Sequence, residues 1–558
     1  MIVNNAALPL LVTPAPGRLR LPHLRRVAGD IHEQSGQALL HRPGYLVFLL
    51  PSFTHTCWCL EPLFRCWTLL SLVVSVFLIF VVWLEISMSN QGKLHQGTLF
   101  LSFLPSHTLA HVFYNGNDTS AAVLALVPPV FHKFLTTKSK NATNPGANSS
   151  AISTDVAANS LLNISDISRN IVRYNLQQTV INEEMFGPLQ NNSVVIAIQV
   201  HKRITYLRHL IVSLAQAKDI HSVLLIFSHD YYDEGINELV QSIDFCKVMQ
   251  IFYPHSRQIF PNTFPGEDPN DCPRDIKREE AIKRKCINAL HPDLYGHYRE
   301  AKFSQTKHHW WWKANRVFDG LQVTKDHNGL VLFLEEDHYV AEDFLHVLRL
   351  MEDSVERHCP NCNVLCLGTY LKTYNYYAAA DKRTGRTKGI SYAQTWGYHL
   401  LPHLYGYYQK VEVCPWQSSR HNMGMALRRS AWRPLSACAQ QFCHYDDYNW
   451  DWSLQRLSQE CLPPEHRLKA MVARGPRVFH IGECGVHHKK ANCDSNSVIS
   501  KVQRVVLGAR QFLYPAGLTL QVAAATKKGK LRKGNGGWGD IRSNNKLCTK
   551  ITLLVLIT

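Results

Sequence analysis

The stretch that decides the fold is Val331-Leu-Phe-Leu-Glu335-Glu336-Asp337-His338-Tyr339. Four apolar residues are typical of a buried strand, and three carboxylates follow them directly. Burying an ionised carboxylate without a partner is costly, so three at one strand end require a cation or open water. Ligands bind at the carboxyl ends of strands in α/β sheets, and oxygen ligands suit Mg²⁺ or Mn²⁺ beside a diphosphate. A solvated acidic loop after a core strand is the equal alternative.

Apolar runs and helical patterns alternate from Asn192 onward. A helical pattern covers 206–217, and strand-like runs cover residues 194–200, 222–227, 248–253, 329–334 and 363–367. This alternation predicts an α/β fold with a mainly parallel sheet flanked by helices. The chain has no GxGxxG or Walker sequence, so a phosphate would have to be met by a metal and by basic side chains.

The segment before this region indicates a membrane anchor. Residues 66–84 carry no charge and are long enough to span a bilayer, and arginines precede them. We therefore expect a single-pass type II protein, with a cytoplasmic tail at 1–65, a signal-anchor at 66–84, a luminal stalk at 85–191 and a catalytic domain at 192–550. Glycosylation sequons follow the anchor, as this topology requires, at Asn117, Asn141, Asn148, Asn163 and Asn191.

The net charge of the 558-residue chain is +17 at pH 7. Nucleic acid is disfavoured as a partner because the basic residues are dispersed and the expected topology is luminal. Anionic phosphate ligands or a membrane surface explain the charge as well. Most of the 16 cysteines lie beyond the anchor, in a compartment where disulfides form.

Residues 305–313, Gln-Thr-Lys-His-His-Trp-Trp-Trp-Lys, combine cationic and indole side chains. Lysines and histidines could meet a diphosphate, and indoles could stack on a base or a sugar. The alternative is an amphipathic helix whose tryptophans lie in the core, and both can hold because a helix has two faces.

Asp451 lies between Trp450 and Trp452 at the start of a helical pattern. Aromatic walls disfavour the charged form of a carboxylate and make it a better proton acceptor. Asp446 and Asp447 are more simply explained as partners of a helix dipole.

His480 begins a turn rich in histidine and lysine that lacks the HExxH pattern of zinc hydrolases. His480 therefore fits best as the imidazole that completes a metal site begun by Asp337. A basic surface turn is the alternative.

The motifs EEDHY, QTKHHWWWK, HNMG, DDYNWDW, FHIGECGVHHKK and NGGWGDIR together resemble the N-acetylglucosaminyltransferase II family, over roughly residues 192–548. The resemblance implies a GT-A-type domain in the Golgi that uses UDP-GlcNAc and Mn²⁺. It also implies transfer of GlcNAc in β-1,2 linkage to the α-1,6-arm mannose of N-glycans, which commits them to the complex type.

By this resemblance, Asp337 and His480 are expected to bind the metal and Asp451 to act as the catalytic base. The expected donor site comprises Gln199, Val200, His201, Lys202, Arg203, Asp230, Gln305, Thr306, Lys307, His308 and His309. The implied disulfides are Cys272–Cys286, Cys359–Cys362, Cys438–Cys461, Cys443–Cys548 and Cys484–Cys493, which leave Cys246, Cys366 and Cys414 unpaired.

The chain departs from the family pattern in two places. An apparent insertion, rich in Tyr, Lys and Arg, lies at about 383–410, near the expected acceptor contacts, and the apolar residues 551–558 have no account. The alternatives to the leading function are a related β-1,2-GlcNAc transferase with another mannose acceptor and a non-catalytic glycan-binding protein. Homo-oligomers are possible in either case.

Overall fold

A computed structural model describes residues 123–136, 163–368, 406–482, 495–522 and 535–557. Its strands are β1 Val180–Ile181, β2 Val195–Val200, β3 Leu224–His229, β4 Lys247–Phe252, β5 Leu330–Glu335, β6 His338–Val340, β7 Val364–Cys366, β8 Lys410–Pro415, β9 Met425–Arg428, β10 Lys469–Ala473, β11 Val478–His480 and β12 Thr519–Val522. Its α-helices are α1 Ile164–Gln177, α2 Glu183–Phe186, α3 Ile204–Ala215, α4 Glu234–Gln241, α5 Arg278–Arg284, α6 Ala301–Asn315, α7 Phe344–His358, α8 Arg429–Ala437, α9 Ala439–His444, α10 Trp450–Glu460, α11 Ser495–Ala509 and α12 Asn544–Ile557. Short 3₁₀ helices cover Pro129–Phe134, Ile220–Ser222, Gln322–Thr324, Pro464–His466 and Arg510–Phe512, and a π-turn at Arg316–Gly320 continues α6.

A large mixed sheet with the order β1-β4-β3-β2-β5-β9-β7-β10-β8-β12 forms the centre of the described structure. Strands β4, β3, β2 and β5 run parallel, and β9 runs antiparallel between β5 and β7. A separate two-stranded antiparallel sheet joins β6 to β11. The strand that ends at Glu335 therefore lies at the border between the parallel half of the sheet and the antiparallel strand β9.

Each central strand buries both of its faces, which explains its unbroken apolar sequence. Ile196 and Ile198 pack on one side, in a core that includes residues of α3 and α7. Val195 and Ala197 pack on the other side, in a core that includes residues of α6, α10 and α12. This helix-on-both-faces arrangement confirms the predicted α/β class. The predicted strands and the 206–217 helix are also found, with ends shifted by at most two residues.

The described part of the segment assigned to the stalk contributes to the fold. Asn163 caps α1, and its side chain accepts a hydrogen bond from the Asp166 N–H. Asn175 Nδ2 donates to the Phe252 carbonyl at 2.7 Å, and the Phe252 N–H donates back at 2.9 Å. Helix α1 was not predicted because the segment is polar and the apolar face of the helix is narrow, with only Ile167 and Ile171 buried.

The apolar C-terminal residues continue helix α12, which extends to Ile557. Ile551 is buried, and Thr552 Oγ1 accepts a 2.7 Å hydrogen bond from Trp311 Nε1. The first residues of the C-terminal segment 551–558 therefore pack against α6. None of the described helices is both long and apolar enough to span a bilayer, and residues 66–84 lie outside the described ranges.

Four of the five implied disulfides are present, namely Cys272–Cys286, Cys359–Cys362, Cys438–Cys461 and Cys443–Cys548. Cys246, Cys366 and Cys414 are free, as expected. The fifth pair, Cys484–Cys493, lies outside the described residues, as does the insertion up to residue 405.

Candidate active site

Three parallel strands bring their polar ends to one edge of the large sheet. Gln199 of β2 lies opposite Ser228 of β3 on one side and Glu335 of β5 on the other. The segments 201–203, 230 and 336–337, which follow these strands, therefore meet at this edge. The register of three separate strands thus assembles residues that are far apart in the sequence.

One group at this edge, the Asp230 cluster, comprises Asp230, His201, Gln305 and His309. Asp230 Oδ1 lies 2.6 Å from His201 Nδ1, and Asp230 Oδ2 accepts a 2.8 Å hydrogen bond from Gln305 Nε2. His309 Nδ1 is 3.4 Å from the same Oδ2. Burial alone would raise the pKa of Asp230, but the charge and the hydrogen bond of His201 hold it well below its ordinary range. The carboxylate is therefore ionised and preorganised.

A second group, the acidic cluster, follows β5 and comprises Glu335, Glu336 and Asp337. Arg203 binds two of these residues, with Nε 2.7 Å from Glu336 Oε1 and Nη1 2.8 Å from Asp337 Oδ2. The His201 N–H donates to Glu336 Oε2 at 2.7 Å. Burial raises the pKa of both Glu335 and Glu336. Arg203 is thus the cation that allows these carboxylates to be buried together.

His480 reaches the acidic cluster through the small sheet. Strands β6 and β11 pair so that His338 lies opposite His480, and this register places His480 Nε2 3.1 Å from Asp337 Oδ2. Burial would lower the pKa of His480, but the hydrogen bond and the charge of Asp337 raise it. The same contact, together with Arg203, holds the pKa of Asp337 below its ordinary value in spite of burial.

Asp451 lies in the first turn of α10 in a pocket of hydrogen-bond donors. Its Oδ2 accepts from the Ser419 N–H at 2.8 Å and from Asn422 Nδ2 at 3.2 Å, and its Oδ1 accepts from the Trp452 N–H at 3.0 Å. The residue is 7% exposed. Burial raises the pKa of Asp451 to about 6, although the Ser419 and Trp452 N–H groups act to lower it. The direction of this shift agrees with the increase in basicity that the flanking indoles predict.

The loop before β9 brings the Asp451 pocket to the same edge of the sheet. Because β9 runs antiparallel to β5 with Met425 opposite Phe333, residues just before Met425 lie where β5 ends. Asn422 is one of these residues, and it holds Asp451. The loop therefore links the carboxylate of α10 to the edge that carries the acidic cluster.

Helix α6 has two polar faces with different partners. Gln305 and His309 belong to the Asp230 cluster, whereas Lys307 and His308 point away from it. Lys307 Nζ donates to the carbonyls of Tyr445 and Asp447, and His308 Nε2 lies 3.2 Å from the Asn544 carbonyl. The helical period separates these side chains, so the structure does not bring all of residues 305–309 to one site.

The remaining expected donor-site residues divide in the same way. Val200 is buried at the end of β2, and Gln199 Oε1 accepts a 2.9 Å hydrogen bond from Lys313 Nζ. Lys202 lies near the edge with its ammonium 3.8 Å from the ring centroid of Tyr231. Thr306 is exposed, and its hydroxyl donates to the Lys302 carbonyl of the same helix.

A family model described as N-acetylglucosaminyltransferase II (MGAT2) matches residues 168–406 and 397–548. The chain belongs to this family. The matched segments include the strands, α6, the acidic cluster, His480 and Asp451.

Curated relatives of this N-acetylglucosaminyltransferase II family chain carry the name alpha-1,6-mannosyl-glycoprotein 2-beta-N-acetylglucosaminyltransferase. The Rattus norvegicus and Sus scrofa proteins are each 44% identical over 378 residues, which is 68% of this chain and 78% and 77% of theirs. The Homo sapiens protein is 42% identical over 378 residues, 68% of this chain and 77% of its own. The crystal structure of S. aureus TarS matches 52% of this chain and 36% of its own with a TM-score of 0.24, too low to carry an argument.

Two members of the acidic cluster, together with His338, form a group that could hold a metal ion. Glu335, Asp337 and His338 offer ligand atoms that all lie within 4.8 Å of one another, and His480 Nε2 adjoins Asp337. Among the described residues, Asp337 Oδ1 is buried with no hydrogen-bond partner. A carboxylate oxygen left unpaired in a buried site is what a cation would satisfy. Carboxylate oxygens suit hard cations such as Mg²⁺ and Mn²⁺, and imidazole nitrogens suit transition metals.

Several residues of this site were missed by the sequence argument. Lys313 belongs to the 305–313 run whose lysines could meet a diphosphate, but it was not among the expected donor-site residues; it is fully buried and bonded to Gln199, and burial lowers its pKa to about 7. His338 belongs to the acidic stretch 331–339, but its place beside Asp337 depends on the pairing of β6 with β11. Ser419 contacts Asp451 through its backbone, which no sequence pattern indicates. Asn422 had one signal, its position in the HNMG motif.

Proposed function

We propose that the protein is an inverting glycosyltransferase that transfers GlcNAc from UDP-GlcNAc to the α-1,6-arm mannose of N-glycans in β-1,2 linkage. The described domain is then of the GT-A type. Family membership and the named relatives support this reaction. The single observation that carries it is Asp451, a buried carboxylate with a raised pKa, held by Asn422 at the edge that carries the acidic cluster.

Asp451 takes the proton from the attacking mannose hydroxyl in this proposal. A general base works best when its pKa lies near the working pH, and the pKa of Asp451 is about 6. The Ser419 and Asn422 donors fix the direction of one carboxylate oxygen. The hydroxyl attacks the anomeric carbon from the face opposite the leaving group, so an α-linked donor gives a β-linked product.

The donor is proposed to bind along the Asp230 cluster and the acidic cluster. Asp230 is held ionised by His201 and can accept hydrogen bonds from a uracil or ribose. Arg203 and Lys313 supply positive charge beside a diphosphate. Glu335, Asp337, His338 and His480 are the residues that would hold Mn²⁺. Bound there, the ion would neutralise charge on the leaving diphosphate.

The test is incubation of the purified protein with UDP-GlcNAc, Mn²⁺ and defined N-glycans that differ in one arm. We expect one GlcNAc to be added to the α-1,6-arm mannose, with a β-1,2 linkage established by NMR. Transfer to the other arm or to an O-linked mannose would identify a related transferase instead. Glycan binding without UDP release would identify a non-catalytic protein.

Further proposals concern location and assembly. We propose Golgi residence and anchoring through residues 66–84, with the catalytic domain in the lumen. Asn163 and Asn191 are exposed, as glycosylated sequons must be. Protease protection of sealed microsomes, combined with glycosidase treatment, tests the topology, and sedimentation tests for a homo-oligomer.

A further inference from the structure

Lys307 carries a buried ammonium group whose bonds are directed at the backbone. Its side chain is inaccessible to solvent, and Nζ donates to the Tyr445 carbonyl at 3.0 Å and to the Asp447 carbonyl at 2.9 Å. The ring centroid of Trp538 lies 3.9 Å from the same nitrogen. Burying an ammonium is unfavourable unless its hydrogen bonds are satisfied, so this group is committed to the segment 445–447.

That segment leads directly into helix α10 and Asp451. Asp447 Oδ1 accepts from the Asn449 N–H at 2.8 Å, and Asn449 precedes the first residue of the helix. Lys307 therefore fixes the backbone a few residues before the catalytic carboxylate.

Trp310 makes a second contact with the start of α10. Its ring stacks on that of Trp450 with centroids 4.2 Å apart and planes inclined by 6°. Trp450 is the residue before Asp451. Residues 307 and 310 share one face of α6 because they are three positions apart. This face therefore contacts the residues that precede Asp451 at two points.

The other polar side chains of α6 hold the proposed donor site. Gln305 bonds Asp230, and Lys313 bonds Gln199. One helix thus contacts the proposed donor site and the segment that carries Asp451. A displacement of about 1 Å between reacting groups can reduce turnover by roughly 10²-fold, so a rigid link between the two sides has a large effect.

We propose that Lys307, together with Trp310, is a positioning residue that sets Asp451 relative to the bound donor. The inference deepens the proposed function and rests on it. It replaces the donor-phosphate role that the sequence suggested for Lys307. Burial lowers the pKa of Lys307 to about 7, while the carboxylates of Asp447 and Asp446 raise it, which agrees with a nitrogen enclosed by protein.

The experiment compares Lys307→Met with Lys302→Met, a change of the same side chain at a half-exposed position of the same helix. For each variant, kcat is measured in the GlcNAc transfer assay, and the Kd for UDP-GlcNAc is measured by calorimetry. We expect Lys307→Met to lower kcat by at least about tenfold at an unchanged donor Kd, because the base is displaced and the donor site is intact. Lys302→Met should leave both unchanged. A weakened donor Kd at unchanged kcat would overturn the proposal in favour of donor binding.

A double-mutant cycle separates positioning from a general packing defect. Once Asp451→Asn has removed the base, Lys307→Met should change the remaining kcat by less than about twofold, since residues that act as one unit are non-additive. Fully additive losses would overturn the proposal. If Lys307→Met does not fold, Trp310→Phe is put through the same cycle, and the same two outcomes decide. A wild-type protein that transfers no GlcNAc would instead refute the proposed function, before any variant is compared.

Discussion

His480 Nε2 lies 3.1 Å from Asp337 Oδ2, although the two residues are far apart in the sequence. The contact exists because β11 pairs with β6 in a register that places His480 opposite His338, one residue after Asp337. Two short strands therefore build the proposed metal site. The hydrogen bond from His480 and the charge of Arg203 favour the carboxylate form of Asp337, which is the form that a metal requires.

Replacing His480 should weaken metal binding without unfolding the protein. Loss of an outer partner of a metal ligand lowers affinity by about 10- to 100-fold, and loss of a ligand should lower it at least as much. We expect this for His480→Ala in a Mn²⁺ titration followed by electron paramagnetic resonance. His466→Ala, at an exposed histidine, is the control. Equal Mn²⁺ affinity in the two variants would remove His480 from the site.

Gly482 tests how tightly the backbone encloses Asp337. A Cβ atom at this position would collide with the Asp337 carboxylate. Gly482→Ala should therefore displace Asp337 and weaken Mn²⁺ binding in the same titration. Gly508→Ala is the matched control, since a Cβ there meets open space in helix α11, where alanine is favoured over glycine by about 0.5–1 kcal/mol. Unchanged Mn²⁺ affinity in Gly482→Ala would show that the Asp337 carboxylate can move without cost.

The central sheet was predictable because its strands bury both faces and so have unbroken apolar sequences. The antiparallel strand β9 was not predicted, since its four residues, Met425–Arg428, form too short an apolar run to stand out. Helix α1 was assigned to the stalk because only Ile167 and Ile171 of it are buried, too few to stand out in a polar segment.

The site residues were predictable where the residue type itself indicates chemistry, as for Asp337 and Asp451. They were not predictable where strand pairing decides which side chains meet, as for His338. Lys307 shows that the composition of a segment does not determine where each of its side chains points. A lysine within a cationic, aromatic run suggests a phosphate contact, yet the helical period directs it to the carbonyls of Tyr445 and Asp447.

The Cys443–Cys548 disulfide should contribute more to stability than Cys359–Cys362. The first joins residues 105 apart and ties helix α12 to α9, and the second joins residues 3 apart. Closing a loop of about 100 residues is worth up to roughly 4–5 kcal/mol in the chain-entropy model. We expect the double alanine variant at 443 and 548 to lose several times more free energy of unfolding than the double alanine variant at 359 and 362. Denaturant titration of the two variants measures both losses. A larger loss from the 359–362 pair would contradict this order.

Asp451→Asn should remove most of the turnover and leave donor binding unchanged. The amide keeps the shape of the carboxylate but cannot accept the mannose proton, and general-base catalysis is typically worth about 10²- to 10⁴-fold. Transfer rates at saturating substrates give kcat, and calorimetry with UDP-GlcNAc gives the donor Kd. A collapse of donor affinity with little change in kcat would make Asp451 a binding residue instead.

The pH profile of kcat should show an acidic limb set by Asp451. Its pKa is about 6, above the ordinary aspartate value of 3.8, so the carboxylate is mostly protonated and inactive as a base below pH 6. We expect log kcat to rise with a slope of about one up to pH 6 and then level off. The effect on folding has the opposite sign. The folded state binds this proton more tightly than the unfolded state, so the site favours folding at low pH, and this contribution is lost as the pH rises to about 6.

The matched control for the pH profile is Asp451→Asn, whose residual activity should lack the acidic limb. Glu335, like Glu336, is a buried carboxyl at this edge whose pKa burial raises, and it could give a limb of the same shape. The two residues are distinguished because Glu335 titrates in the Asp451→Asn variant and Asp451 does not. If the limb persists unchanged in that variant, the proton that controls turnover belongs to the acidic cluster, and Asp451 is not the base.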